Sequence, residues 1–186
     1  YAVPGAVIPL SAVVDELQSD PLFVDEPAAH AMHMIEVELP FLCRLRPGPA
    51  SPDFAVVPMI LGRMDMPAIR RLAEILDGYA DAETRFVFSV DLSHYYKDEE
   101  ARNLDHSTIQ AIMSRDEGMI RRAVTDGNQV LLTMLLLAER RGWDPTLLMY
   151  RNSGDAGADR GRVVGYGSVV FHEPLDLTRA EQKDVL

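Results

Sequence analysis

The chain has 186 residues, enough for one domain with a hydrophobic core, and 47% hydrophobic with 25% charged residues is an ordinary globular balance. Eighteen basic against 29 acidic residues leave a net charge of −11, a field that repels phosphate backbones and anionic lipid and so argues against nucleic acid or a membrane as partner. The single cysteine, Cys43, requires no oxidising compartment, and no apolar run reaches the length of a membrane span, so a cytoplasmic protein is expected.

The opening residues from Tyr1 to Leu10 read as an extended loop. Ser11 to Ser19 carries a capping residue followed by apolar positions at helical spacing, which predicts a short helix. Between Ala28 and Leu45 the residues Met32, Ile35, Leu39, Leu42 and Leu45 recur every three or four positions, a helical period that Pro40 should end or kink near Leu39. Phe54 to Leu61 is a strand candidate. Asp65-Met-Pro67 has the form of a capped helix start, with the helix running to about Tyr79. Thr84 to Val90 is short, β-branched, aromatic and apolar nearly throughout, which predicts a strand buried on both faces, as in a parallel sheet. Helices are expected at Asp98 to Arg115, Glu117 to Val124 and Gly127 to Arg141, then strands at Leu147 to Tyr150 and Arg162 to Phe171. The alternation predicts one α/β domain over residues 1–186: a layered sheet with helices on both faces.

Three segments carry side chains able to bind metal or move protons. His30, His33 and Glu36 are three apart and share a helix face, a pattern that suits zinc, iron or copper. On spacing alone a solvated helix end carrying two histidines is the preferred reading. Asp91 and His94 follow the apolar strand, where the loops of α/β sheets expose ligand-binding groups. They are candidates for a carboxylate–imidazole acid–base pair, and their position favours that over an Asx turn beside an exposed histidine. Asp126, in Thr125-Asp-Gly127 before a long apolar helix, is by itself a good N-cap and no more. The loop Asn152 to Asp155 lacks the lysine and glycine spacing of a phosphate loop, and Cys43 lies in an apolar stretch that reads as core.

Taken in order, three segments resemble the Memo family, which includes the AmmeMemoRadiSam system protein B. They are Ala31-Met-His33-Met-Ile-Glu-Val-Glu-Leu-Pro-Phe-Leu42, Ser89-Val-Asp91-Leu-Ser-His94-Tyr95, and Asn152-Ser-Gly-Asp155 with Arg162-Val-Val-Gly-Tyr-Gly167. The resemblance implies a fold similar to class III extradiol dioxygenases and a non-haem metal pocket, with Fe(II) favoured and copper or zinc as alternatives. It implies His33 as a metal ligand, and Asp91 and His94 as the acid and the base-like histidine beside the metal. Where that family carries a cysteine, this chain has Asp126, which would replace a thiolate by a carboxylate, a donor suited to Fe(II).

The family's N-terminal portion, with its first histidine ligand, has no counterpart here. A fragment, a short paralogue, or self-association or a partner chain that completes the site are the alternatives. The resemblance leaves two functions: a dioxygenase-like oxidoreductase acting on a small molecule, or a non-catalytic module whose cleft binds a peptide or metal.

Overall fold

The computed structural model describes residues 1–3, 6–29, 34–45 and 54–174, and the chain divides into two compact units, Tyr1–Met64 and Asp65–Leu186. The first unit opens with a two-stranded antiparallel ribbon, β1 (Ala2–Val3) and β2 (Ala6–Val7), in which Ala2 opposes Val7. Helix α1 (Val13–Leu17) follows where the capping pattern predicted it, with Leu17 buried. Helix α2 spans Leu39–Leu45.

Here the expectation for Pro40 is corrected. The proline stands in the first turn of α2 and does not end a helix; a first-turn N–H has no intrahelical partner to lose, so the ring is tolerated there. The predicted strand Phe54 to Leu61 is reduced to one parallel bridge, Leu10 to Val56, where the Ser11 and Val56 amides donate to Val56 and Pro9 carbonyls at 2.9 and 3.0 Å.

The second unit carries the larger core. Helix α3 (Met66–Gly78) starts at Asp65, whose carboxylate accepts from the Ala68 amide at 2.9 Å, with Pro67 in the first turn. Its buried stripe Ile69, Leu72, Ala73 and Leu76 repeats every three or four residues and packs on α6 (Asn128–Arg141), which buries Leu131, Leu132, Leu135 and Leu136. Each fully buried leucine or isoleucine contributes roughly 1.5–3 kcal/mol of transfer free energy, so this helix pair is a principal source of stability.

Helix α4 (Asp98–Ser114) packs on a three-stranded antiparallel sheet of order β3 (His94–Tyr96), β5 (Val163–His172), β4 (Asp144–Asn152), and the short α5 (Glu117–Ile120) joins α4 to α6. A β-bulge between Leu147 and Met149 shifts the β4–β5 register, and β4, with Pro145 near its start, is an edge strand among the described residues.

The chain is thus a mixed α/β protein, as the alternating pattern predicted, but its observed sheet is antiparallel. The expectation of a doubly buried, parallel strand at Thr84 to Val90 is corrected too. That segment is extended and alternates half-buried Thr84, Phe86, Phe88 and Val90 with exposed Arg85, Val87 and Ser89, and no ladder partner exists among the described residues. Phe86 lies 6.4 Å from both Phe88 and Trp143, so the apolar side is held by aromatic contacts without sheet pairing. Residue type alone cannot supply the neighbouring strand that a ladder needs. The predicted helix to Val124 ends early, at Ile120.

Candidate functional site

Within the second unit, Asp91 and His94 flank a clamped dipeptide, Leu92-Ser93. Leu92 and Ser93 are buried, and the two exchange backbone hydrogen bonds with Gly165 of β5: the Leu92 amide donates to the Gly165 carbonyl at 3.1 Å and the Gly165 amide to the Ser93 carbonyl at 3.0 Å. The Ser93 amide donates to Asp105 Oδ1 at 2.8 Å, and the Tyr150 hydroxyl to Asp105 Oδ2 at 2.7 Å. Asp105 is fully buried in the middle of α4, so a carboxylate inside the core holds the residue directly before His94.

On this support the His94 Nε2 and Asp91 Oδ2 atoms lie 3.0 Å apart, with the histidine side chain 29% and the aspartate 45% exposed. When neutral, a ring that shares its Nε2 proton with Asp91 leaves Nδ1 as acceptor. Asp126 closes the group. Its Oδ1 accepts from the Asp91 amide at 3.0 Å, while the neighbouring Thr125 hydroxyl donates to the Asp91 carbonyl at 2.6 Å. The α6 N-cap is Gly127, with no side-chain cap, so Asp126 does not serve as the helix cap that its position suggested. Its carboxylate is turned to the Asp91 loop. The close approach needs glycine next to it, because a Cβ on Gly127 would stand 3.0 Å from Val90 Cβ.

One ligand atom from each of Asp91, His94 and Asp126 falls within 4.8 Å of the others. Two carboxylates and an imidazole at that spacing fit a divalent metal such as iron, zinc or manganese, and the donor set does not discriminate among them. Two other sequence candidates, His30 and His33, lie outside the described residues. Cys43 is half-buried and takes no part in this group.

Sequence reasoning passed over three residues that build the site. Asp105 left a signal: it is a charged residue on the helix face of Ala101, Ile109 and Ile112. Tyr95 was noted only as the end of a motif; its backbone is left-handed, φ 64°, where a non-glycine residue is strained by about 1–2 kcal/mol. Its ring stands 5.7 Å from that of His94 and 4.9 Å below the Arg162 guanidinium. Tyr166 was noted only within a motif. Burial and, secondarily, the Asp91 charge hold its phenol above the usual range.

A family described as Memo-like protein matches residues 5–170 of the chain. Among similar proteins, a MEMO1 family protein of Archaeoglobus fulgidus is 36% identical over 156 residues, covering 79% of this chain and 58% of its own length. One from Sulfurisphaera tokodaii is 29% identical over 165 residues, 83% of this chain and 56% of its own. One from Methanobrevibacter smithii is 32% identical over 155 residues, covering 77% and 53%. The chain spans little more than half the length of the curated relatives it matches.

Proposed function

The chain belongs to the Memo-like family, and on that premise we propose that Asp91, His94 and Asp126 hold a divalent metal, with Fe(II) favoured, in a site for oxidoreductase chemistry of the extradiol-dioxygenase type. The observation that carries this reading is the convergence of the three ligand atoms within 4.8 Å, with Asp126 turned away from the cap role it could have filled. When bound, such an ion would polarise a substrate oxygen and offer open positions for a second ligand. The chain's own residues would do the rest. One ring nitrogen of His94 and one carboxylate oxygen each of Asp91 and Asp126 would hold the ion, and Asp105 fixes the backbone that carries Asp91 and His94. A cytoplasmic location accompanies this reading: the chain has one cysteine, and no helix among the described residues is long and apolar enough to cross a membrane.

The test is anaerobic Fe(II) titration of the whole chain with equilibrium dialysis, beside Asp91→Ala, His94→Ala, Asp126→Ala and His33→Ala. Stoichiometric binding, weakened at least about tenfold by each of the first three changes, is the expected result. Binding indifferent to all three overturns the site. A loss in His33→Ala brings that residue into it. Sedimentation in the same titration tells whether self-association or a partner chain completes the coordination.

A second reading, a non-catalytic module that uses the same cleft to bind a peptide or metal, is favoured by a donor set that suits a redox-inert ion such as zinc as well as iron. Oxygen uptake with catechols under Fe(II) separates the two. Uptake supports the enzyme, while metal binding without uptake over a broad catechol panel supports the module.

A further inference from the structure

Around the Asp91–His94 pair the sheet offers a face that the metal reading does not use. Along β5 the residues Val163, Gly165 and Gly167 turn toward α4: Val163 is fully buried, a Cβ on Gly165 would overlap the Asp105 carboxylate, and one on Gly167 would meet Leu92 and Ile109. Alternation therefore places Val164 and Tyr166 on the opposite face. Cross-strand partners share a face, so His94, opposite Val164, and Arg151, opposite Tyr166, belong there as well. Tyr166 is 49% and Tyr95 64% exposed, so two phenol rings are open to solvent near one imidazole.

The arginines of this face are not neutralised, although the chain is acidic. Several cations of this unit are claimed by carboxylates: Arg70 by Glu117, Arg102 by Asp98 and Asp155, Arg115 by Asp144, Arg140 and Arg141 by Asp77, Arg160 by Asp98. Arg162 instead lies over the Tyr95 ring at 4.9 Å, and neither it nor Arg151 has a carboxylate partner among the described residues. A guanidinium held over a ring by cation–π attraction keeps N–H donors for another partner, and its planar fork can receive an oxyanion in two parallel hydrogen bonds. The strained left-handed backbone of Tyr95 holds the ring that carries it.

We propose that this face is a binding site for a small ligand with a planar body and an oxyanion, carboxylate or phosphate. Arg162 grips the anion, Arg151 adds charge from β4, and the body lies along Tyr95 and Tyr166 toward His94. The inference deepens the metal-site reading by naming a ligand class for it, yet it rests on the arginine–tyrosine geometry and stands or falls separately.

The experiment measures binding of benzoate, phenyl phosphate and the neutral isostere benzamide by saturation-transfer NMR. It uses the full chain, with and without zinc, for the parent and for Arg162→Gln, Arg162→Lys and Arg151→Gln. Arg162 is exposed, and an unchanged melting temperature certifies the fold of its variants. Expected is a preference for benzoate over benzamide of about tenfold, lost in Arg162→Gln and only partly kept in Arg162→Lys, which restores charge but not the fork. Phenyl phosphate binding as tightly as benzoate assigns the site to oxyanions generally; weaker binding assigns it to carboxylates. Equal affinity for benzoate and benzamide in the parent, or a preference that survives Arg162→Gln, overturns the proposal. A preference that persists although zinc does not bind leaves this inference standing and removes the metal reading; zinc binding without any preference does the reverse.

Discussion

Asp105 accepts the Ser93 amide and the Tyr150 hydroxyl from inside the core, and the room for its carboxylate exists only because residue 165 has no side chain. A methyl group there meets the carboxylate head-on, with backbone bonds to Leu92 and Ser93 preventing β5 from moving aside. Gly165→Ala is expected to cost about 3 kcal/mol, at the upper end of the range for overpacking. For a domain of this size that lowers the melting temperature by roughly 6–12 °C in a calorimetric scan. It should also weaken metal at Asp91 and His94, since the Leu92-Ser93 pair between them hangs on the same bonds. A melting temperature within about 2 °C of the parent would show that Asp105 has another resting place.

At the scale of elements, the Tyr150–Asp105 bond is a polar tie between β4 and α4, beside the contact of the His106 and Tyr150 rings at 5.0 Å. Burial first, then the hydrogen bond to Asp105 and its charge, push the Tyr150 phenol well above its usual range. In the unfolded chain the phenol ionises near pH 10, so above that pH the unfolded state holds fewer protons than the folded one and gains relative to it. The stability linked to Tyr150 is therefore complete below about pH 10 and is lost as pH climbs toward the folded-state value. Tyr166, also raised, contributes with the same sign. Tyr150→Phe is expected to be less stable by about 1–3 kcal/mol at neutral pH, because the buried Asp105 carboxyl is left with one hydrogen-bond donor fewer. Its stability should fall less steeply between pH 10 and 11.5 in urea titrations, and parallel slopes for parent and variant would refute the tie.

A second polar joint fastens the start of α4 to the end of β4. The Asn152 side-chain amide donates to Asp98 at 2.6 Å, its backbone amide donates to Asp155 at 3.0 Å, and Arg102 and Arg160 pair with the same carboxylates. The first of these bonds is the main reason the Asp98 carboxyl is held below its usual range, and the second is the main reason for Asp155. The Asn-Ser-Gly-Asp segment thus acts as structural cross-bracing in this unit.

Over the whole molecule, the three proposed ligands fall in one of the two compact units, residues 65–186. A chain reduced to that unit is expected to unfold cooperatively and to bind Fe(II) within about threefold of the full chain's affinity, as the helix pair α3–α6 and the α4-backed sheet supply its core. A loss of tenfold or more would require a ligand from the first 64 residues, with His33 the named candidate. The extended segment at Thr84 to Val90, with Val87 55% exposed, and the apolar edge residues Leu148 and Met149 are where an added strand would find backbone and side chains to pair with.

Local signals were sufficient for much of this. Helical period and capping chemistry placed α1, α3, α4 and α6 within a residue or two, because a helix satisfies its hydrogen bonds from its own neighbours in sequence. The spacing Asp91-x-x-His94 announced a pair that stands at 3.0 Å for the same reason. What depended on the tertiary structure was every relation between distant segments. A strand-like composition at Thr84 to Val90 found no ladder, and Asp126 left its helix for the Asp91 amide 35 residues away. Asp105 needed Gly165, 60 positions distant, to make room for it. Sheet pairing and site assembly are long-range contacts whose partners no local pattern names, so the ordered motifs determined the family and the individual elements, while only the fold decided which side chains meet.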